Sequence, residues 1–315
     1  MAKIPAFGGS VVALITPFIN GKVDGKKFQD FVAWQIAQGT QGLVPCGTTG
    51  ESPTLSHDEH RLVNELCIQV AKGKVPVIAG AGSNSTSEAI ALTQHAEKIG
   101  ADAVLHVTPY YNKPTQDGLY AHYKAIHDST SLPIFIYNIP PRSVINMTVE
   151  TMAKLAELPR IAGVKDATND LARPVKTRLT CGPDFIQFSG EDATALAFLA
   201  QGGHGCISVT ANVAPALCAQ MHAAWQKGDV KTAQAIQDKL MPLHDALFAE
   251  TSPGPVKFAA SLLGWGENSL RLPLVPVGKA TAQNVEAAMQ HAGLLDARKQ
   301  GGKKTRTRAN LEHRV

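Results

Sequence analysis

The sequence lacks the signals that mark several large classes of protein. No apolar run approaches the roughly 18 residues that cross a bilayer, which argues against a membrane protein. The five cysteines form no C-x-x-C pair, and the first ten residues show no charged-then-apolar signal pattern. Both absences favour a reducing, cytoplasmic location.

Cofactor motifs are missing as well. No Walker A sequence occurs, and the run Gly-Ala-Gly-Ser-Asn-Ser at 80–85 lacks the third glycine of the dinucleotide-binding fingerprint. His57 and His60 are three residues apart, but neither H-E-x-x-H nor a His-rich triad is present. We therefore expect no catalytic metal and no organic cofactor.

The net charge of +4 is carried by the C-terminus. Residues 298–315 contain seven Lys/Arg and one Glu, a net +6, so the preceding residues sum to −2. This tail is rich in Gly, Lys, Arg and Thr and is predicted to be disordered. A basic tail can contact nucleic acid or an anionic surface. A solvated or vector-derived extension is the simpler interpretation, so no nucleic-acid partner is predicted.

Short apolar runs alternate with longer stretches of helical spacing along most of the chain. Eight runs are rich in Val, Ile and Leu, as expected of parallel strands buried on both faces. They cover residues 11–18, 42–47, 75–80, 103–108, 133–138, 161–165, 185–190 and 205–210. The pattern predicts an α/β protein with a (β/α)₈ TIM barrel in residues 1–225, a C-terminal helical extension in 226–296 and a basic tail in 297–315.

Three sequence features predict where helices begin or bend. Ser56-x-x-Glu59 and Ser85-x-x-Glu88 both have the spacing of a capping box, in which the two side chains accept hydrogen bonds from backbone N–H groups. Pro242 lies within an apolar stripe of helical spacing and predicts a kink or a break there.

The carboxyl ends of barrel strands carry the reactive groups of such enzymes. Lys165 ends the sixth apolar run, where an apolar residue is usual and a buried ammonium is costly. Burial of a lysine favours its neutral amine, which is a nucleophile toward a ketone. A lysine that pairs with Asp166 or Glu191 at the barrel rim explains the pattern equally well. Three other lysines lie in loop or helix contexts and are poorer candidates: Lys113, Lys124 and Lys257.

Other strand ends supply groups that suit a keto-acid site. Tyr137 closes the fifth run and can relay protons, although a packed amphipathic tyrosine is the commoner interpretation. The turn Gly-Thr-Thr-Gly-Glu at 47–51 offers donors to a carboxylate, or is only a strand-to-helix turn. Arg142, in a loop after Tyr137, clamps a second carboxylate or is an ordinary rim arginine. Tyr110 and Tyr111 are predicted to be extended, with rings on opposite sides, as at interfaces.

Six stretches of the chain together resemble one family of barrel aldolases. They are CGTTGES at 46–52, VTPYYN at 107–112, YNIP at 137–140, GVK at 163–165, GHG at 203–205 and SVTAN at 208–212. On these motifs, residues 7–295 resemble the dihydrodipicolinate synthase / N-acetylneuraminate lyase family. The resemblance implies a class I (Schiff-base) pyruvate lyase whose imine forms on Lys165.

The resemblance also implies a reaction and a role for each matching residue. Pyruvate would condense with L-aspartate-4-semialdehyde to 4-hydroxy-tetrahydrodipicolinate, in diaminopimelate and lysine biosynthesis. Tyr111 would reach into a neighbouring subunit's site to complete a proton relay, Thr48 and Thr49 would hold the pyruvate carboxylate, and Arg142 would bind that of the semialdehyde. The implied catalytic residues are Lys165, Tyr137, Thr48 and Tyr111, and the implied substrate-binding residues are Thr49, Arg142, Gly190 and Ile207.

Two other functions compete with this interpretation. The sugar-acid lyases of the family, which act on N-acetylneuraminate or keto-deoxy sugar acids, lack an arginine after Tyr-Asn-x-Pro, so Arg142 favours a synthase. A barrel that senses a small carboxylate without turnover would need a broken relay, and the relay residues are all present. The sequence departs from the synthase pattern at Pro141, Ser143 and Asp166. These departures could shift Arg142 slightly.

The resemblance further implies regulation and assembly. Lysine-inhibited members of the family bind L-lysine at a subunit interface, and the matching polar positions predict feedback inhibition here. Glu88 can pair with an ammonium, although it could equally serve only its capping box. A homotetramer arranged as a dimer of dimers is implied as well. The implied allosteric residues are Ser52, Leu55, His57, His60, Asn84, Glu88 and Tyr110.

Overall fold

Eight parallel strands form the main sheet in the computed structural model, which describes residues 7–296. The strands are β1 (Gly9–Ala13), β4 (Gly42–Val44), β5 (Ile78–Gly80), β6 (Ala103–Val107), β7 (Ile134–Asn138), β8 (Ile161–Asp166), β9 (Ile186–Ser189) and β10 (Gly205–Ser208). Their order is β4-β1-β10-β9-β8-β7-β6-β5, and a bridge between Leu43 and Val77 joins the two edge strands. The sheet is a nearly closed barrel, so the predicted (β/α)₈ TIM barrel is confirmed.

Each of the eight predicted runs overlaps a strand, but five of the strands end before the predicted limit, and the first two of them end three or more residues before it. The first strand stops at Ala13, and a small antiparallel hairpin of β2 (Phe18–Ile19) and β3 (Lys22–Val23) follows it. The strand β4 stops at Val44, because Cys46 takes a positive φ of 54° and begins a turn. Hydrophobicity predicts which residues are buried, and these turn residues are buried without being strand.

Helices separate the strands and cover the barrel. They are α1 (Gly25–Ala37), α2 (His57–Ala71), α3 (Thr86–Ile99), α4 (Gln116–Asp128), α5 (Pro140–Ser143), α6 (Val149–Ala156), α7 (Arg173–Cys181), α8 (Ala195–Ala200) and α9 (Pro215–Gln226), with 3₁₀ turns at Ser52–Thr54 and Thr210–Asn212. After the last barrel unit come α10 (Val230–Ala246), α11 (Gly254–Leu262) and α12 (Lys279–His291). No helix within residues 7–296 is long and apolar enough to cross a membrane.

The domain boundaries stay a prediction. The predicted limit between residues 225 and 226 falls at the last residue of α9, and α10 to α12 occupy the predicted helical extension. The basic tail at 297–315 lies outside the described residues.

Apolar side chains fill two separate layers, as a barrel requires. One layer lies between the strands and the helices, and a second lies inside the barrel. Within the barrel, Phe135 packs between Phe7 and Phe188, with ring centroids 5.2 Å and 5.6 Å away. Tyr137, two residues along β7 from Phe135, belongs to the same interior cluster. Because side chains alternate along a strand, the next inward position on β7 after Phe135 is Tyr137, at the carboxyl end.

The helix starts agree with the sequence at one of two capping boxes. Ser56 and Glu59 exchange hydrogen bonds with each other's backbone N–H at 3.2 Å and 2.9 Å, so this box is confirmed. Ser85 makes no capping bond, and Glu88 instead accepts a hydrogen bond from Ser83, so the second predicted box is wrong. Of the kink or break predicted at Pro242, the break is wrong, because α10 runs through this residue.

Candidate active site

Lys165 and Tyr137 lie side by side inside the mouth of the barrel. Strands β7 and β8 pair with Tyr137 opposite Lys165, and β9 places Phe188 on the other side of Lys165. The Nζ of Lys165 is 4.2 Å from the centre of the Tyr137 ring. Only 5% of Lys165 and 6% of Tyr137 is exposed, so the lysine is buried, as the sequence predicts.

Neither carboxylate that the sequence offers as a partner reaches Lys165. Asp166 turns away from it: Oδ2 lies 2.9 Å from Nε of Arg173, and Oδ1 accepts hydrogen bonds from the N–H and hydroxyl of Thr168. No ion pair between described residues includes Lys165, so its interpretation as half of a rim ion pair is wrong. A buried amine without a carboxylate partner is free to attack a carbonyl carbon.

Glu191 is a carboxylate at the same mouth. Burial is the main cause that raises the pKa of Glu191 above its ordinary value, and the neighbouring Asp192 adds to the shift. The positive charges of Lys165 and Arg142 oppose that shift. Glu191 therefore lies within electrostatic range of both cations without forming an ion pair to either.

The turn after β4 presents donors that no protein group uses. Within the described residues, neither the N–H nor the hydroxyl of Thr48 or Thr49 donates a hydrogen bond. The turn is closed by bonds from the Gly50 N–H to the Gly47 carbonyl and from the Glu51 N–H to the Thr48 carbonyl, both 3.1 Å. Unpaired donors grouped in a tight turn suit a carboxylate.

Gly190 directly follows β9 and Ile207 lies on β10, the two strands that come after β8 in the order around the barrel. A Cβ at Gly190 would lie 2.7 Å from the Cβ of Ala167, so only glycine fits there. Its N–H donates to the Asp166 carbonyl at 2.7 Å. Ile207 is fully buried in the same interior cluster as Tyr137. The structure thus places both residues on the side of the barrel that Lys165 and Tyr137 occupy.

Arg142 lies in the short helix α5, and the prediction of a loop is wrong at this point. It is exposed, and one guanidinium nitrogen donates to the Ser252 carbonyl at 3.1 Å. Arg142 and Thr48 line one cavity of about 340 Å³. The side chain therefore faces the same space as the turn after β4, and the remaining guanidinium N–H groups can bind a second carboxylate.

Tyr111 does not reach Lys165 within one chain. It is 89% exposed and takes a positive φ of 70°, so the predicted extended conformation of the tyrosine pair is wrong. Tyr110 lines the cavity, and burial followed by the charge of Glu88 raises its pKa. The two rings thus have different surroundings, and that of Tyr111 is much the more exposed.

Most of the residues predicted to bind L-lysine line the same 340 Å³ cavity as Thr48 and Arg142. The Nε2 of His57 lies 2.9 Å from a carboxylate oxygen of Glu88, which joins α2 to α3. Asn84 donates to the Tyr110 carbonyl at 3.2 Å. His60 is buried, and burial is the main cause that lowers its pKa to about 4. Six of the seven predicted residues line the cavity: Ser52, Leu55, His57, His60, Glu88 and Tyr110.

One buried ion pair beside the site escaped the sequence analysis. Lys257, on α11, is 2% exposed, and its Nζ lies 2.5 Å from Oε1 of Glu51. Its place inside the apolar helix GPVKFAASL was a signal of burial, but no pattern links it to a residue 206 positions away. Because its ammonium is paired, Lys257 is not a rival of Lys165 as a nucleophile.

No group of three or more His, Cys, Asp or Glu residues within 7–296 is arranged to hold a metal ion.

A buried lysine lies one residue before the end of the sixth barrel strand, beside a tyrosine and without an ion-pair partner among the described residues. This arrangement defines the class of barrel enzymes with a nucleophilic lysine. The chain belongs to the dihydrodipicolinate synthetase family, whose profile matches residues 6–292. It is 68% identical over 289 residues to the 4-hydroxy-tetrahydrodipicolinate synthase of Rhodospirillum centenum, covering 92% of this chain and 99% of that protein.

Two solved structures are similar throughout. The chloride-inhibited dihydrodipicolinate synthase of Acinetobacter baumannii, complexed with pyruvate, matches with a TM-score of 0.89 and 43% identity, over 91% of this chain and 99% of that one. The enzyme of Cyanidioschyzon merolae with lysine bound matches with a TM-score of 0.89 and 40% identity, over 92% and 99%.

Proposed function

We propose that the chain condenses pyruvate with L-aspartate-4-semialdehyde to 4-hydroxy-tetrahydrodipicolinate, through an imine on Lys165. The observation that carries this proposal is the buried amine of Lys165, which has no ion-pair partner among the described residues and lies over the ring of Tyr137. The reaction belongs to diaminopimelate and lysine biosynthesis, which also fits a cytoplasmic enzyme.

The first step joins Lys165 to pyruvate. The neutral amine attacks the ketone carbon, the carbonyl oxygen leaves as water, and a C=N bond replaces the C=O bond. The protonated imine withdraws electrons from the methyl carbon more strongly than the ketone does, so a methyl proton leaves and an enamine forms. The unpaired donors of Thr48 and Thr49 bind the pyruvate carboxylate, and Gly190 and Ile207 line the pyruvate pocket.

The second step forms the carbon–carbon bond. The enamine carbon attacks the aldehyde carbon of the semialdehyde, and the aldehyde oxygen takes up a proton. Tyr137 lies beside Lys165 and can move this proton, together with Thr48 at the cavity. Arg142 holds the carboxylate of the semialdehyde as its guanidinium faces the same cavity. Cyclisation then releases the product.

Tyr111 completes the proton relay from a second subunit. Its ring is exposed in the single chain, as is required of a side chain that inserts into the site of another subunit. This role requires at least a dimer, and a homotetramer built as a dimer of dimers is the assembly that we propose.

L-Lysine inhibits the enzyme at the cavity between α2 and α3. Glu88 receives the ligand's ammonium, and Asn84, Tyr110 and His57 bind its carboxylate. The support is that six of the seven predicted residues line one cavity, and that a relative 40% identical to this chain has been solved with lysine bound. Activity that is unchanged at saturating L-lysine would remove this part of the proposal.

A comparison of aldehyde acceptors tests whether aspartate semialdehyde is the second substrate. Pyruvate consumption is measured with aspartate semialdehyde and with the aldehydes released from N-acetylneuraminate and keto-deoxy sugar acids. We expect turnover of the semialdehyde to exceed that of the sugar aldehydes, and Arg142→Ala to lower only the turnover of the semialdehyde. Equal turnover of all acceptors by the wild-type chain would refute the synthase assignment.

A further inference from the structure

The turn that carries Thr48 and Thr49 is fastened to the C-terminal helices by a buried ion pair. Glu51 is the last residue of the turn. Its Oε1 accepts a hydrogen bond from the ammonium of Lys257, and its Oε2 accepts one from the backbone N–H of Arg271 at 3.0 Å. The side chains of both Glu51 and Lys257 are 1% exposed. Two oxygens of one carboxylate are thus bound by two points that lie more than 200 residues further along the chain.

The turn has a backbone conformation that needs outside support. Cys46 and Glu51, the residues that flank it, both take positive φ values, 54° and 56°, which L side chains adopt rarely. On its inner side, the Thr16 hydroxyl donates to the Gly50 carbonyl at 2.8 Å. Strained positions of this kind persist only where the surrounding structure holds them. On the outer side, that structure is the C-terminal segment.

Arg271 strengthens the same attachment. Its guanidinium pairs with Glu59 and lowers the pKa of that carboxyl to about 2, chiefly through their hydrogen bond. It also donates to the Thr54 carbonyl at 2.8 Å, just past the turn. The ring of Phe18 lies under both cations, 4.0 Å from Nζ of Lys257 and 4.5 Å from Cζ of Arg271. The cations are therefore held on one face of the turn by an aromatic ring and by two carboxylates.

We propose that Glu51 and Lys257 are positioning residues for the pyruvate carboxylate: the buried pair fixes the turn so that the donors of Thr48 and Thr49 point into the site. This inference rests on the proposed function, because it concerns the binding of pyruvate. Neither side chain touches the substrate. Their effect passes through the backbone of the turn, in which no other described residue uses the N–H groups and hydroxyls of Thr48 and Thr49.

The semialdehyde end of the site provides an internal reference. Arg142 is held by the Ser252 carbonyl, a backbone group that substitutions at Glu51 and Lys257 do not remove. Loss of the buried pair is therefore expected to weaken pyruvate binding much more than semialdehyde binding. A purely structural role would lower stability and leave both affinities of the folded enzyme unchanged.

The test compares Lys257→Met, Glu51→Gln and the double variant E51Q/K257M with the wild-type full-length chain. Lys124→Met is the control, because it removes an exposed lysine whose ion pair with Asp128 lies far from the turn in sequence and on the helix surface. For each chain we measure the pyruvate concentration that gives half-maximal trapping of Lys165 by borohydride, the KM for each substrate, and the thermal midpoint.

In Lys257→Met and in the double variant, the pyruvate concentration that gives half-maximal trapping is expected to rise about tenfold or more, because small displacements of a binding group weaken binding strongly. The KM for the semialdehyde changes little. The double variant regains thermal stability relative to the single variants, because both buried charges are gone, but it does not regain pyruvate affinity. If Lys257→Met does not fold, the double variant carries the test.

Two results would overturn the inference. One is half-maximal trapping at the wild-type pyruvate concentration in a folded variant. The other is recovery of pyruvate affinity together with stability in the double variant, which would reduce the pair to a structural role. No trapping in the wild-type chain would instead refute the proposed function, and this inference with it.

Discussion

Two lysines within residues 7–296 are buried, and they differ in whether a carboxylate pairs with the amine. Lys165 lies one residue before the end of β8, has its ammonium nitrogen over the ring of Tyr137 and has no carboxylate partner among the described residues. Lys257 lies on a helix and is paired with Glu51. Burial lowers the pKa of Lys257, and the neighbouring Glu51 opposes that shift. An amine with a carboxylate at 2.5 Å is held as an ammonium, so reactivity follows from the partner rather than from burial alone.

Tyr137→Phe removes the hydroxyl and keeps the ring, so it tests the role of the hydroxyl alone. The ring stays beside Lys165, so the packing is kept, while the proton relay loses a member. We expect kcat to fall about 100-fold or more, as for the loss of a general acid–base group. Trapping of the pyruvyl imine by borohydride should still reach completion, though more slowly. Steady-state kinetics that match the wild-type chain would rule out the relay role.

Buried histidines make the protein sensitive to acid. Burial is the main cause that lowers the pKa of His106 to about 3, and it also lowers those of His122 and His222 to about 4. Between pH 6.5 and these values the unfolded chain binds protons that the folded chain does not, so stability falls as pH falls. Above pH 6.5 these groups make no difference.

The substitution His106→Gln tests this dependence, because the glutamine amide can keep the hydrogen bond to Thr93. At pH 5 the unfolded-state proton at position 106 costs about 2 kcal/mol. The difference in unfolding free energy between pH 7 and pH 5 should therefore shrink by about 2 kcal/mol in the variant. Urea titrations at both pH values measure it, with exposed His291→Gln as the matched control. An unchanged difference would contradict the assignment.

At the residue scale, the sequence predicted the buried Lys165 but not the ion pairs that surround the site. Lys165 stood out because a charged residue ended an apolar run, and that is a local signal. The pairing of Asp166 with Arg173 and of Glu51 with Lys257 depends on how distant segments pack. No spacing in the sequence encodes such contacts.

At the scale of the elements, the sequence predicts the presence of the barrel strands but not the residues at which they end. All eight strands overlap the apolar runs, because burial on both faces leaves a continuous signal. The short helix at Arg142 and the left-handed residue Tyr111 were missed. At both positions tertiary contacts rather than hydrophobic periodicity set the backbone.

The two predicted capping boxes make a matched pair of tests. Ser56→Ala should lower the unfolding free energy by about 1 kcal/mol, because its side chain accepts the Glu59 N–H at 3.2 Å. Ser85→Ala should cost much less, because Ser85 makes no capping bond. Chemical denaturation of both variants measures the difference. Equal losses would mean that Ser85 caps α3 after all.

At the scale of the whole molecule, the closed barrel brings together residues that the sequence separates. The strand ends supply Lys165 and Tyr137, a turn supplies Thr48, and α5 supplies Arg142. The TIM barrel was predictable from the number and spacing of the strands. Assembly was not, because an exposed tyrosine such as Tyr111 has the same sequence signature whether or not another subunit receives it.

Mixed oligomers test whether Tyr111 crosses between subunits. Lys165→Ala and Tyr111→Phe should each be nearly inactive alone. When the two are co-expressed, a hybrid dimer contains one site with Lys165 from one chain and Tyr111 from the other, so activity should return. Tagged hybrids are purified and assayed beside each parent. No recovery in a hybrid, or a monomeric wild-type chain that is fully active, would contradict the shared site.

The most direct measurement is to trap the intermediate. The wild-type chain is incubated with pyruvate, reduced with borohydride, digested and analysed by peptide mass spectrometry. A single pyruvyl adduct is expected on the peptide that contains Lys165, with none on the Lys257 peptide, and no adduct is expected in Lys165→Ala. An adduct on another lysine, or full turnover by Lys165→Ala, would contradict the account.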